Sequence, residues 1–273
     1  MEDLITNPFI QSSAAPFLAG LIVAVAFFRV RLAGLAAGAG FFATVWMIGN
    51  FGFSPLTATR KIVVLGAAAP ALGVLADLAF KPTRATAPVL GTLFGAASLW
   101  VFWSVLGQKA ISEQALLGAG VFALVLWMVA FSMSLNDDPV RAGAAGLFLG
   151  LGAGIGAVLG ASAFLGQYGM ALGAACGAFL LLVMILGKRV IAGATFTLTV
   201  SVVAALLASG AALLAQLPWS SLAALALVPV AVRLPLPEKL PVWVQAIVAS
   251  VYSLAAAGSA CFLAWQASRG ASG

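Results

Sequence analysis

The sequence predicts an all-α, polytopic integral membrane protein with about ten transmembrane helices in two five-helix halves. Three observations carry this fold class. Of 273 residues, 63% are hydrophobic and 7% charged, against about 25% charged in ordinary globular domains. A folded chain of this composition cannot cover its surface with polar groups in water. Apolar runs of about 20 residues, the length an α-helix needs to cross a bilayer, recur along the whole chain, whose mean hydropathy is +1.16. The runs are apolar all round, whereas the strands of a membrane barrel alternate, and helices satisfy their own backbone groups in hydrocarbon.

The spans follow in order. The first covers residues 8–28 and is separated by "RVR" from the second, 32–51. "GFSPLTATRK" supplies the Gly, Ser, Pro and Thr of a loop, and the third span covers 62–80. "KPTRATAP" leads to the fourth, 89–106, and "GQKAISEQ" to the fifth, 115–135. The polar turn "NDDPVR" (136–141) divides the chain into halves 1–135 and 142–273, candidates for a pseudo-repeat within one membrane-embedded helical domain, 1–273. The sixth span is 142–165, the seventh 169–186, and the eighth 190–217, which is too long to stand upright and must tilt, kink or end early. The ninth, 220–232, is short and contains Pro229. "RLPLPEKLP" is a stiff connection, because proline fixes φ and leaves the helix, and the tenth span is 242–266. The start, "MEDLITNPFIQSS", is acidic and lacks the basic region of a cleavable signal peptide, so the first span is expected to remain.

Basic residues set the orientation. The loops after spans 1, 3, 5, 7 and 9 hold Arg29, Arg31, Lys81, Arg84, Arg141, Lys188, Arg189, Arg233 and Lys239; the other side holds Arg60, Lys61, Lys109 and Arg269. Nine against four places both termini outside a cytoplasmic (inner) membrane, since the basic side faces the cytoplasm. The net charge of +6 is accounted for by these anchors. No basic stripe interleaved with aromatics is present, and nucleic acid is not an expected partner. Trp103, Trp219, Trp243 and Trp265 fall near span ends, where aromatic anchors belong.

"GLFLGLGAGIGAVLG" (146–160) holds six glycines in fifteen residues. Gly152, Gly154 and Ala157 partly match a dinucleotide fingerprint, but no strand or polar turn precedes them and no acid follows at the spacing a ribose contact requires. At helical spacing the glycines form ridges instead: Gly146, Gly150 and Gly154 on one face, Gly152, Gly156 and Gly160 on another, and Gly169, Gly173 and Gly177 on the next span. Small-xxx-small ridges let helix backbones approach and gain dispersion contacts in lipid. Spans 6 and 7 are expected to pair tightly, with the second ridge free to meet a third helix.

Catalytic chemistry has few residues to use. The chain contains no histidine, Cys176 and Cys261 sit singly in apolar runs, and Asp137–Asp138 belong to the polar turn. No metal, no cofactor and no enzymatic activity are expected. The one acid inside a span is Asp77. It either pairs with Lys81 one turn on or serves proton or cation coupling, because intramembrane acids are costly and mark ion paths. Arg60 and Lys61 either snorkel at a helix start or form a cationic mouth with Asn50. In "TFTLTVS", Thr195 and Thr199 share a helix face and either bond carbonyls one turn back or line a polar path.

Ten short helices in two five-helix halves resemble ten-helix metabolite transporters in architecture. With five helices per half, a repeat would be inverted, and "RKIVVLG" and "KRVIAG" are similar starts to spans 3 and 8. The expected function is a secondary transporter or flippase-like carrier of a small or lipidic substrate. The alternative is a non-catalytic membrane subunit or scaffold that packs against partner membrane proteins or a second copy of itself. Membrane lipids are expected partners under both.

Overall fold

The computed structural model describes residues 7–49, 54–79, 86–237 and 239–270, apart from the Lys188 side chain. In order, its helices are α1 (Ile10–Val30), α2 (Leu35–Met47), α3 (Ala58–Ala79), α4 (Thr86–Leu106), α5 (Ile111–Met133), α6 (Pro139–Leu159), α7 (Ala163–Leu186), α8 (Gly193–Leu214), α9 (Trp219–Leu225), α10 (Val228–Ala231) and α11 (Val242–Gly270). Among the described residues no strand occurs. Eight of these helices are long and apolar enough to cross a membrane, and the protein is a polytopic, membrane-embedded bundle.

The expected number of spans was about ten, and two of the ten apolar segments form shorter helices. α2 has 13 residues, about 20 Å, against a hydrocarbon core of about 30 Å. It ends before Gly49, whose φ is +74°. The ninth segment is divided in two. Pro229 stands in the first turn of α10, where its missing N–H is tolerated but the ladder of α9 cannot continue through it. The eighth segment, too long as read from sequence, stops at Leu214. Two residues on, Gln216 takes a φ of +46°, so α8 keeps 22 residues, about 33 Å, and can stand nearly upright.

Other ends are set by caps. The Asp138 carboxylate accepts the Arg141 amide at 3.1 Å, with Pro139 in the first turn of α6. The Ser162 hydroxyl accepts the Leu165 amide at the start of α7, and Gly187 closes α7 with a φ of +69°. Each arrangement satisfies backbone groups that a helix end leaves orphaned.

α8 is the central post. Every residue from Gly193 to Ala211 is buried, with α3, α5 and α6 packed along it and α2 and α7 touching it more lightly. α6 and α7 form the closest pair. A Cβ at Gly150 would overlap the Gly173 backbone, one at Gly154 would lie 2.6 Å from the Met170 amide nitrogen, and one at Gly173 would lie 2.9 Å from that of Leu151. Gly169 faces the Gly154 backbone in return. Gly146 meets the Cys176 sulfur and the Phe196 ring, while Gly177 makes only an ordinary contact with Leu147. The second ridge turns elsewhere: Gly152 meets Ala257 of α11 and Leu225 of α9, Gly156 meets Leu217, and Gly160 abuts the Ala215 carbonyl. The glycines therefore remove side chains where backbones meet, which gives contact area between helices that the hydrophobic effect does not drive together in lipid.

Candidate functional site

The polar groups gather where α8 begins. Gly193 has a φ of +65°, a conformation glycine adopts without steric cost, and the first turn of α8 exposes N–H groups with no intrahelical partner. Asp77, on the last turn of α3, supplies the acceptors. Its carboxylate accepts the Ala194 amide at 2.7 Å, the Thr195 amide at 2.8 Å and the Thr195 hydroxyl at 2.6 Å. A carboxylate at a helix N-terminus is also favoured by the helix dipole. Asp77 is thus a cap delivered from a neighbouring helix.

Three glycines make room for that bond. A Cβ at Gly73, one turn before Asp77, would lie 2.5 Å from the Thr195 Cα; one at Gly34 would lie 2.6 Å from the Ala192 carbonyl; one at Gly193 would strike the Asp77 carboxylate itself. Asn136, from the turn between α5 and α6, completes the arrangement. Its backbone carbonyl accepts the Gly193 amide at 3.1 Å, and its side-chain oxygen accepts the Thr197 hydroxyl. Asn136 is buried, although the sequence places it in a polar turn.

Beside this junction opens a cleft of ≈ 500 Å³ lined by Arg31, Asp77, Asn136 and Asp137 with Val30, Leu32, Leu78, Ile191 and Gly193. Arg31 and Asp137 are exposed, and Arg31 takes a φ of +63° at the end of α1. The cleft thus offers a cation, carboxylates and an amide at the face that also carries Arg29, Arg141, Arg189, Arg233 and Lys239. Among the described residues no group of three or more metal-ligating side chains forms.

The other residues singled out in the sequence are dispersed. Thr199 donates to the Thr195 carbonyl at 2.6 Å, and Ser201 to that of Thr197 at 2.7 Å; these hydroxyls are satisfied along their own helix. Arg60 donates to the Pro55 carbonyl at 2.8 Å. Lys61 donates to the Trp100 carbonyl at 3.1 Å and lies 4.9 Å from the Trp100 ring centre. Both basic residues stand at the opposite end of α3 from Asp77, seventeen and sixteen residues or about 24–26 Å away. Asn50 and Lys81 lie outside the described residues. The structure therefore joins Asp77 to Thr195, and leaves Arg60, Lys61 and Thr199 apart from that contact. Sequence reading missed Asn136, Gly73 and Gly193. Of these, only Gly73 left a signal, since Gly73 and Asp77 share a helix face at the spacing of one turn.

Comparison of the chain with protein-family models, with curated proteins and with solved structures found no match.

Proposed function

We propose that the chain is a carrier, not an enzyme, that moves a small polar solute across a cytoplasmic (inner) membrane, with the cleft beside Asp77 as its vestibule. The observation that supports this reading most is the position of Asp77. It caps α8 from a half-helix that follows Pro70, a buried proline inside α3. Proline cannot donate to the Gly66 carbonyl one turn back, so α3 has a weak point at which it can bend. Movement of the last turns of α3 about Pro70 would detach Asp77 from α8 and widen the cleft toward the bundle centre. In this reading the basic face is cytoplasmic and both termini lie outside, by the distribution of Lys and Arg.

The cleft presents opposite charges, Arg31 and Asp137, so the favoured solute is a small zwitterion. The purified protein is expected to melt at higher temperature in millimolar neutral amino acids than in an equal concentration of an uncharged monosaccharide. A ligand at 100 times its dissociation constant stabilises by about 2.7 kcal/mol. The shift should disappear in the double variant Arg31→Gln, Asp137→Asn. Equal melting with all solutes, or an undiminished shift in the double variant, would remove the vestibule from the proposal.

A further inference from the structure

A second candidate site lies on the lipid-facing flank, away from the Asp77 cleft. α5 and the broken pair α9–α10 run side by side toward the basic face. Between them is a groove of ≈ 380 Å³ lined by Gly120, Ala123, Trp127, Trp219, Ala223 and Leu227 among others. α9 begins late. The Trp219 ring at its start lies against Gly120, nine residues or about 14 Å in from Ile111 at the start of α5. The groove continues toward the basic face as an aromatic ledge. Trp127 stacks on Phe131 with centroids 4.0 Å apart, and its indole N–H holds the Ala226 carbonyl at 3.0 Å.

Arg233 stands at the end of this ledge, its guanidinium 4.6 Å from the Phe131 ring centre. One terminal nitrogen, Nη2, donates to the Phe131 carbonyl at 3.1 Å and to the Ser134 hydroxyl. An arginine carries five N–H groups, so Nε and Nη1 still have three to offer. Arg233 is exposed and has no carboxylate within ion-pair distance among the described residues; Asp138, in the turn between α5 and α6, pairs with Arg141 at 3.0 Å. Partial burial, and then the like charge of Arg141, lower the Arg233 pKa from its usual value. An anion from outside would relieve both. From Ser134 to Gly120 is fourteen residues of helix, about 21 Å, which matches one leaflet: half of a core of about 30 Å plus the headgroup layer.

We infer that an anionic phospholipid binds here, its phosphate on the free N–H groups of Arg233 and one acyl chain along the groove between α5 and α9–α10. The aromatic ledge carries the glycerol region, and the small side chains of Ala123 and Ala223, both exposed, leave the groove open for the chain. Phosphate and chain are recognised together, which distinguishes this site from bulk lipid contact and from simple anion binding.

The test uses the purified full chain in neutral detergent, with phosphatidylglycerol and phosphatidylcholine of matched chains as probes. Lipid retained is read by native mass spectrometry and stability by thermal melting. Phosphatidylglycerol should be retained and should raise the melting temperature more than phosphatidylcholine. Arg233→Gln should reduce the retention preference roughly fivefold, the effect of one basic residue at a membrane surface. Ala123→Trp, which fills the groove but leaves the guanidinium in place, should reduce retention of both lipids, and it keeps the idea testable where Arg233→Gln fails to fold. Four outcomes would overturn the inference: equal retention of the two lipids by the unmodified protein; an undiminished preference in Arg233→Gln; inorganic phosphate reproducing the full effect of phosphatidylglycerol; or a lipid-independent dimer or partner complex that Ala123→Trp abolishes.

Discussion

Replacing Asp77 with alanine is expected to destabilise the protein by about 2–3 kcal/mol, the loss of a helix cap combined with buried donors left unpaired. Three donors converge on this carboxylate, two of them amides from the first turn of α8, and all three bonds are part-buried. Asp77→Asn is expected to fall between Asp77→Ala and the unmodified protein. Its amide oxygen can serve one backbone N–H, but its NH₂ group then faces the other. Thr195→Val removes only the hydroxyl donor and should cost about 1 kcal/mol. Thermal or denaturant unfolding in detergent provides the comparison. If Asp77→Ala melts with the unmodified protein, the carboxylate does not hold α8.

Gly150→Leu is expected to have an effect at least as large. Overpacking in a close-packed interior costs typically 1–3 kcal/mol, and here the obstacle is backbone, which cannot change rotamer. A single Cβ at this position already overlaps Gly173, so the leucine must force α6 and α7 apart. Gly177→Ala is the matched control, since its Cβ would make an ordinary contact 3.5 Å from a Leu147 methyl. Loss of folded, monodisperse protein for Gly150→Leu with normal behaviour of Gly177→Ala is the expected pattern. Equal tolerance would mean that the α6–α7 approach is looser than described.

These two sites differ in how much of them was legible in the sequence. The glycine ridges were readable because helical period alone puts Gly150 and Gly154 on one face, and lipid supplies the reason for small residues there. Asp77 was readable as an exceptional acid, but its partner was not. The amides of Ala194 and Thr195 are backbone groups 117 and 118 residues away, and "TFTLTVS" carries no mark of its neighbour. The polar turn at 136–141 is divided: Asp137 is exposed, as its composition implies, whereas Asn136 is buried beside the start of α8, where its carbonyl accepts the Gly193 amide. Helix lengths failed for a related reason. Residues 32–49 are apolar apart from Thr44, so hydropathy continues past Met47, while the backbone at Gly49 turns away. Arg233 looked like one of several loop charges, and only the stacking of Trp127 and Phe131 beneath it sets it apart.

Accessibility of the bundle centre tests the carrier proposal most directly, because it needs no knowledge of the solute. Thr199 is wholly buried on α8, one turn beyond Thr195 and close to Gly38 of α2, which also meets Pro70. With Cys176 and Cys261 replaced by alanine, Thr199→Cys should react with an impermeant thiol reagent applied to either side of sealed vesicles, faster from the basic face, as α3 bends and alternately opens the centre. Complete protection from both sides, with Asp137→Cys reacting to completion from the basic face under the same conditions, would describe a rigid scaffold and contradict the carrier.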